Sequence, residues 1–313
     1  MENLFLAWKE FLNGKRKRKD TRTFEINLAD NIFDLHRCLI SHRYKHGQYL
    51  PFIIHDPKRR KIHKAKVRDR LLHHAIHRQL YPLYDRIFIA DSYSCRNFKG
   101  IHMALDRFLY FFRKVSKNNH RTAWVLKCDI RKFFDSIDHG ILLSILSKKI
   151  ADPNTLSLLQ RIITSFEKMT NKGIPLGNLT SQLFANVYMH EFDQFMKQTL
   201  KVKQYIRYAD DFVVLSENKT YLESMIPDIQ TFLMNTLELS LHPNKVSIQT
   251  FASGVDFLGW VHFPHYRILR TVTKRRMLKN LKDNPSREVI QSYLGLLGHG
   301  NTWKLKGKIV DML

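Results

Sequence analysis

The sequence predicts an α+β fold, a mixed β-sheet with packed helices, on three observations. Apolar residues recur at helical spacing in several long segments, and short β-rich runs between them either end in an acid or meet at a tight turn. Gly and Pro are scattered singly, without repeats or low-complexity stretches, so no linker announces a boundary and the chain reads as one cooperative unit.

Taken in order, residues 1–47 read as short helices around the basic run KRKRK at 15–19, with Leu28, Ile32, Leu35 and Leu39 on one stripe. PFIIHD, from Pro51, followed by a basic segment suggests a strand and hairpin. Val67, Leu71, Leu72, Ile76 and Leu80 form a helical stripe whose opposite face carries Arg and His, so this helix is expected to present cations beside a core. AWVLKCDI at 123–130 reads as a buried strand ending in Asp129, with Phe133 and Phe134 on the turn beyond it. Residues 180–197 place Phe184, Val187, Tyr188, Phe192, Phe195 and Met196 on one helical face, capped by Thr180 or Ser181. QYIRYADDFVVL at 204–215 is two β-rich runs meeting at Ala209–Asp211, a hairpin with two acids at its tip. VDFLGWVH at 255–262 reads as a further strand whose glycine permits close backbone approach, and a small basic helical region begins near Thr271.

Composition narrows the function. Lys and Arg number 52 against 28 acids, a formal charge of +24, which favours a polyanionic partner; residues 58–70 alone hold eight bases and one acid. The hydrophobic fraction of 44% supports a globular core, and no apolar run suits a membrane span. The first residues put apolar side chains before basic ones and include Glu2 and Glu10, the reverse of a secretory signal. Three cysteines, Cys38, Cys95 and Cys128, without a CxxC pair point to neither a disulfide framework nor a zinc ribbon, and fit a reducing, cytoplasmic compartment.

Phosphoryl transfer from a nucleoside triphosphate needs divalent cations held by carboxylates from different strands. Asp129 at one strand end and Asp210 with Asp211 at a hairpin tip supply such a set if their strands are neighbours.

The ordered segments resemble the reverse transcriptases, in particular group II intron-like enzymes and those of diversity-generating retroelements. CDIRKFFDSIDH at 128–139 resembles the first palm motif, YADD at 208–211 the second, LHPNKVSI at 241–248 the next, and FLGW at 257–260 the primer grip. Residues 58–70 and SYSCRNFKGIHMAL at 92–105 resemble the basic template- and nucleotide-binding segments, and SYLGLLGHGNTWKL at 292–305 the thumb helices. A four-letter YADD is weak by itself; the six fingers and palm motifs in order are strong.

The resemblance implies a right-hand polymerase: an N-terminal segment and fingers at 1–122, a palm at 123–265 with a fingers insertion near 140–180, and a short helical thumb at 266–313. An endonuclease, RNase H or integrase domain is not expected within these residues. The resemblance further implies that Asp129, Asp210, Asp211 and the Ile130 carbonyl hold two magnesium ions, with manganese as a substitute. By the same resemblance Lys245 would be the cation near the leaving phosphates and a candidate general acid. Phe134, five positions after Asp129, would bar a ribose 2′-hydroxyl. Arg60, Lys64, Arg68 and Arg70 are the candidate grips on triphosphate or template, with no choice among them. Phe257, Leu258, Gly259 and Trp260 would hold the primer. The partners are an RNA template, a DNA or RNA primer and deoxynucleoside triphosphates. IPLGNLTSQ at 174–182 departs from the common Gln-Gly pattern and resembles diversity-generating enzymes through Leu176, Gly177 and Gln182. Replacing a hydrogen-bonding Gln by Leu removes polar positioning near the incoming nucleotide, an expectation of low fidelity, and in that family errors fall at template adenines and a basic accessory protein assists. Rival readings are an enzyme of ordinary fidelity, group II-like or antiviral, and a catalytically silent RNA-binding maturase-like protein.

Overall fold

The computed structural model describes residues 1–55 and 59–310; Asp56 of PFIIHD, Lys58 of the basic segment and the end of the expected thumb lie outside the described residues. In chain order the elements are α1 (Glu2–Phe11), α2 (Lys19–Ile26), α3 (Leu28–Ile40), β1 (Leu50–Ile54), β2 (Arg60–Lys64), α4 (Val67–Asp85), α5 (Ile101–Val115), β3 (Trp124–Asp129), α6 (Phe133–Ser136), α7 (His139–Ser147), α8 (Pro153–Ile163) and α9 (Leu179–Gln194). A π-helical turn, Phe195–Thr199, extends α9. There follow β4 (Tyr205–Tyr208), β5 (Asp211–Ser216), α10 (Lys219–Leu237), β6 (Ser247–Thr250), β7 (Val255–Phe257), β8 (Trp260–His262), β9 (Arg267–Leu269), α11 (Thr271–Asp283), α12 (Arg287–Leu297) and α13 (Trp303–Val310).

Where the linker-free sequence suggested one unit, the fold divides into two compact ones. The first comprises Met1–Ala90, Ile130–Lys201 and Ile229–Leu241, the second Asp91–Asp129, Val202–Asp228 and His242–Leu313. Interleaved segments need no linker, which is why composition carried no sign of the division.

In the first unit, α1 buries Leu4, Ala7, Trp8 and Phe11, an i, i+3, i+4, i+7 stripe, and packs on α4. β1 and β2 pair antiparallel with Phe52 opposite Ile62, the hairpin expected after Pro51. Helix α9 packs on α4 and is buried on nearly every side, Ser181, Asn186 and Asp193 included, so the single apolar face read from its sequence understates its centrality. Its N-cap is Asn178 rather than Thr180 or Ser181, and the Asn178 side chain makes no capping bond. The amide instead donates to the His63 carbonyl at 2.9 Å, drawn away by the nearby hairpin. The cations expected on α4 are its arginines, Arg70 paired with Asp20 and Arg78 with Glu10, whereas His73 and His74 are not cations. Burial, then His46, pushes His73 down to about 3, and burial with Lys15 pushes His74 to about 4, so these imidazoles are neutral at neutral pH.

In the second unit the strand order is β4-β5-β3-β6, every ladder antiparallel. The parallel component is a bridge from Ser92 to Arg207, flanking β4. α5 lays Ala104, Leu105, Phe108, Phe111 and Phe112 into a core shared with Val125, Ile206, Val213 and Phe251, where the Phe112 and Phe251 rings stack at 3.8 Å. The segment 255–262 is a tight hairpin, not one strand. Leu258 (φ 49°) and Gly259 (φ 86°) both adopt left-handed backbone between paired Phe257 and Trp260, so the glycine serves the turn rather than a close approach. Among the described residues no helix is long and apolar enough to cross a membrane.

Candidate active site

Strand register assembles the carboxylates. β3 pairs with β5 so that Asp129 lies directly opposite Asp211, while Tyr208 pairs with Asp211 across the β4–β5 hairpin. The two-residue turn between is Ala209, held at φ 57°, and Asp210. A non-glycine residue in this region is strained, and such strain gathers at functional sites. Arg207, fully buried within β4, donates to the Ala209 carbonyl at 3.0 Å and fixes the turn. Sequence reading had passed over Arg207; the only hint was a cation in an otherwise apolar strand run.

Asp129 is 9% exposed, and its neighbours crowd it. Burial, then the charges of Asp210 and Asp129, pushes the Asp211 carboxyl up to about 7 against a partial offset from Lys127, and a hydrogen bond with Asp129 adds to the rise. Lys245 reaches this cluster from the segment 242–245, where the His242 amide donates to the Asp129 carbonyl at 2.8 Å and the Lys245 amide to the His242 carbonyl at 3.0 Å. Its ammonium donates to Asp129 Oδ2 at 2.8 Å. The resemblance implied a place for Lys245 at the leaving phosphates; in this structure its partner is Asp129. Ile130 follows Asp129 directly, its side chain buried and its backbone bridged to Leu241.

Among the described residues no group of three or more His, Cys, Asp or Glu side chains is arranged to hold a metal ion. Magnesium does not need a closed protein cage, since it is commonly held by one or two carboxylates with substrate phosphates and water completing its shell. A carboxyl pushed to about 7 by burial and by adjacent acids fits such an ion, because a cation there would relieve the repulsion.

The first unit gathers a second set. A cleft of about 330 Å³ is lined by Lys64, Arg70, Gly177 and Gln182, all singled out from sequence, and by Lys15, Arg18, Phe11 and Phe52, which were not. Lys15 and Arg18 belong to the KRKRK run, whose fold-back on α4 no local pattern could announce. Asp20 binds both Lys64, at 2.6 Å, and Arg70, and is the acid that tethers them. Arg68 lies elsewhere, 3.6 Å from Asp34 and over the Tyr44 ring, and Arg60 is exposed on β2. The IPLGN loop is stitched to β2: the Leu176 carbonyl accepts from the His63 amide at 3.2 Å, and Gly177 sits at φ 98° with its α-carbon facing Ile62. Phe134 is half-buried on α6 with its ring edge-on to Phe133, and its carbonyl accepts from Ile174 at 2.9 Å. In the second unit Phe257 and Trp260 are buried, with Leu258 and Gly259 at the hairpin tip.

Comparison with known proteins bears on this geometry. A family model described as "Reverse transcriptase (RNA-dependent DNA polymerase)" matches residues 54–262. Protein YkfC of Escherichia coli (strain K12) is 23% identical over 281 residues, covering 77% of this chain and 70% of that protein. Group II intron-encoded protein LtrA of Lactococcus lactis subsp. cremoris is 23% identical over 277 residues, covering 66% of this chain, which spans only 44% of LtrA. Among solved structures, apo telomerase from Candida tropicalis, truncated from its C-terminal domain, superposes with a TM-score of 0.53 at 12% identity over 77% of this chain and 60% of that one, a likeness of fold.

Proposed function

The chain belongs to the reverse transcriptase family, the RNA-directed DNA polymerases, and from this membership we propose that it copies an RNA template into DNA from a primer 3′-hydroxyl by two-metal-ion nucleotidyl transfer. The observation that carries the proposal is the register of β3 on β5, which sets Asp129 against Asp211 beside the strained turn bearing Asp210. Asp129 and Asp210 would hold the metals, Asp211 would complete the acidic site, and the Ile130 carbonyl would add a backbone ligand. Bound there, magnesium or manganese supplies Lewis-acid activation of the primer hydroxyl and neutralises charge on the departing pyrophosphate. Arg207 holds the turn still during transfer. Lys245, which pairs with Asp129 here, would serve as the cation and proton donor for the leaving phosphates. Phe134 closes the space a ribose 2′-hydroxyl needs.

Lys15, Arg18, Lys64 and Arg70 form the template grip, with Arg60 and Arg68 as further contacts; Phe257 to Trp260 form the primer grip. In this assignment residues 1–122 contain the fingers, 123–265 the palm and 266–313 the thumb. Residues 174–182 favour a role in a diversity-generating retroelement, with errors at template adenines, a basic accessory protein as partner and a cytoplasmic setting. The similarity to LtrA favours a second reading, a group II-like enzyme of ordinary fidelity.

Primer extension on a defined RNA template with magnesium and deoxynucleotides, comparing native protein with Asp210→Asn and sequencing the products, tests all of this. Extension by the native protein alone is expected; equal inactivity of both would overturn the polymerase reading. Errors clustered at template adenines support diversification, and faithful copying supports the second reading.

A further inference from the structure

The segment between Asp91 and Gly100 is laced to the strand that leads into the catalytic turn. The Arg207 amide donates to the Asp91 carbonyl and the Tyr93 amide to the Arg207 carbonyl, each at 3.0 Å. Tyr208, its hydroxyl pKa pushed up by burial and by Cys95, hydrogen-bonds Ser94. Within the segment, Arg96 donates to the Ser92 carbonyl and hydroxyl, and the Lys99 ammonium lies 5.0 Å from the centre of the Tyr93 ring. A loop so tied has little freedom to bury its remaining side chains.

At its tip stands Phe98, 95% exposed, with φ at 55°. Two separate costs meet in this residue. A bulky side chain in left-handed backbone is an outlier that persists where surrounding structure over-determines it. A large ring left in water forgoes the burial that aromatic residues ordinarily gain. Cys95 (φ 53°), three residues earlier, also takes left-handed backbone, so two non-glycine residues of this turn are held against backbone preference. Resting on the nucleic-acid-copying role above, we propose that Phe98, carried by the segment bonded to β4, stacks on an unpaired base of the bound template strand. An exposed ring between Arg96 and Lys99 has the chemistry of single-strand binding, in which cations track the phosphates and the aromatic face takes a base of any identity. The net charge of +24 makes nucleic acid, rather than an apolar protein surface, the complementary occupant.

The test uses an RNA template–primer with 2-aminopurine placed in turn at each unpaired template position. Native protein, Phe98→Ala, Phe98→Trp and Phe98→Gly are compared by fluorescence and by binding. Native protein should alter the fluorescence sharply at one or two positions; Phe98→Ala should abolish that change and weaken binding about 5- to 150-fold, with Phe98→Trp retaining both. Phe98→Gly relieves the backbone conflict, so it should melt no lower than native while binding as poorly as Phe98→Ala, which separates stacking from folding. Unchanged fluorescence and affinity in Phe98→Ala would overturn the inference, as would equal loss in Phe98→Trp. Extension is scored separately: a native protein that stacks through Phe98 but fails to extend a primer refutes the polymerase reading and leaves the contact standing.

Discussion

Gly177→Ala is the substitution whose effect follows most directly from geometry. A Cβ built at Gly177 would lie 2.6 Å from Ile62 Cγ2, and the residue holds φ at 98°. Neither problem has an easy escape. The Ile62 methyl is attached to a branched Cβ, so it retreats only by leaving its χ1 well or by moving β2. β2 is itself bonded to this loop through the His63 amide and carbonyl, by Leu176 and Asn178 respectively. The backbone conflict costs about 1–3 kcal/mol and the forced overlap about 1–3 kcal/mol more. The stiffer unfolded chain returns roughly 0.4–1 kcal/mol. The net loss is about 1–5.5 kcal/mol, which for a unit of this size lowers Tm by roughly 2–20 °C. Lys64 shares β2 with Ile62, so RNA affinity should fall alongside. Calorimetry of the native and variant proteins, with RNA binding followed by fluorescence anisotropy, measures both effects. A variant that melts within about 1 °C of native and binds RNA as tightly would refute the stitched-loop account.

Two further substitutions probe the β4–β5 turn. Arg207→Met removes the donor to the Ala209 carbonyl and should cost about 1–3 kcal/mol for the buried acceptor left unpaired; kcat for extension should fall more than KM rises, and a variant with native kcat would exclude Arg207 as a positioning residue. Asp211 predicts a pH dependence. Its folded carboxyl titrates near 7, above the unfolded value near 3.8, so the folded state binds the proton more tightly and its stabilising contribution, full below about pH 4, is lost as pH rises toward 7. Asp211→Asn should therefore gain roughly 2–4 kcal/mol over native in urea unfolding at pH 7.5 with chelator, but almost nothing at pH 4; an equal difference at both pH values would show that the crowding of acids is not the cause.

The sequence by itself determined the strands and the turn that carry the acids, and the class of chemistry. Alternation and turn residues located the 204–215 hairpin, and the apolar run ending at Asp129 located its partner strand, because strand periodicity and a tight turn are local properties. The type of each acid and the order of the motifs were equally legible, and the family match at residues 54–262 agrees with that reading. Burial and register belonged to the tertiary structure. Only the pairing of β3 with β5 sets Asp129 opposite Asp211, and only burial, together with the neighbouring acids, pushes that carboxyl to about 7. The histidines of α4 looked like cations until burial made them neutral, and Asn178 gave up its capping bond for a carbonyl 115 residues away in sequence. Lys245 looked destined for a phosphate but is held by Asp129, and the KRKRK run showed its charge without showing the cleft it folds back to line. Each of these depends on which distant groups share a low-dielectric neighbourhood, and contact between distant segments is not written in the spacing of either one.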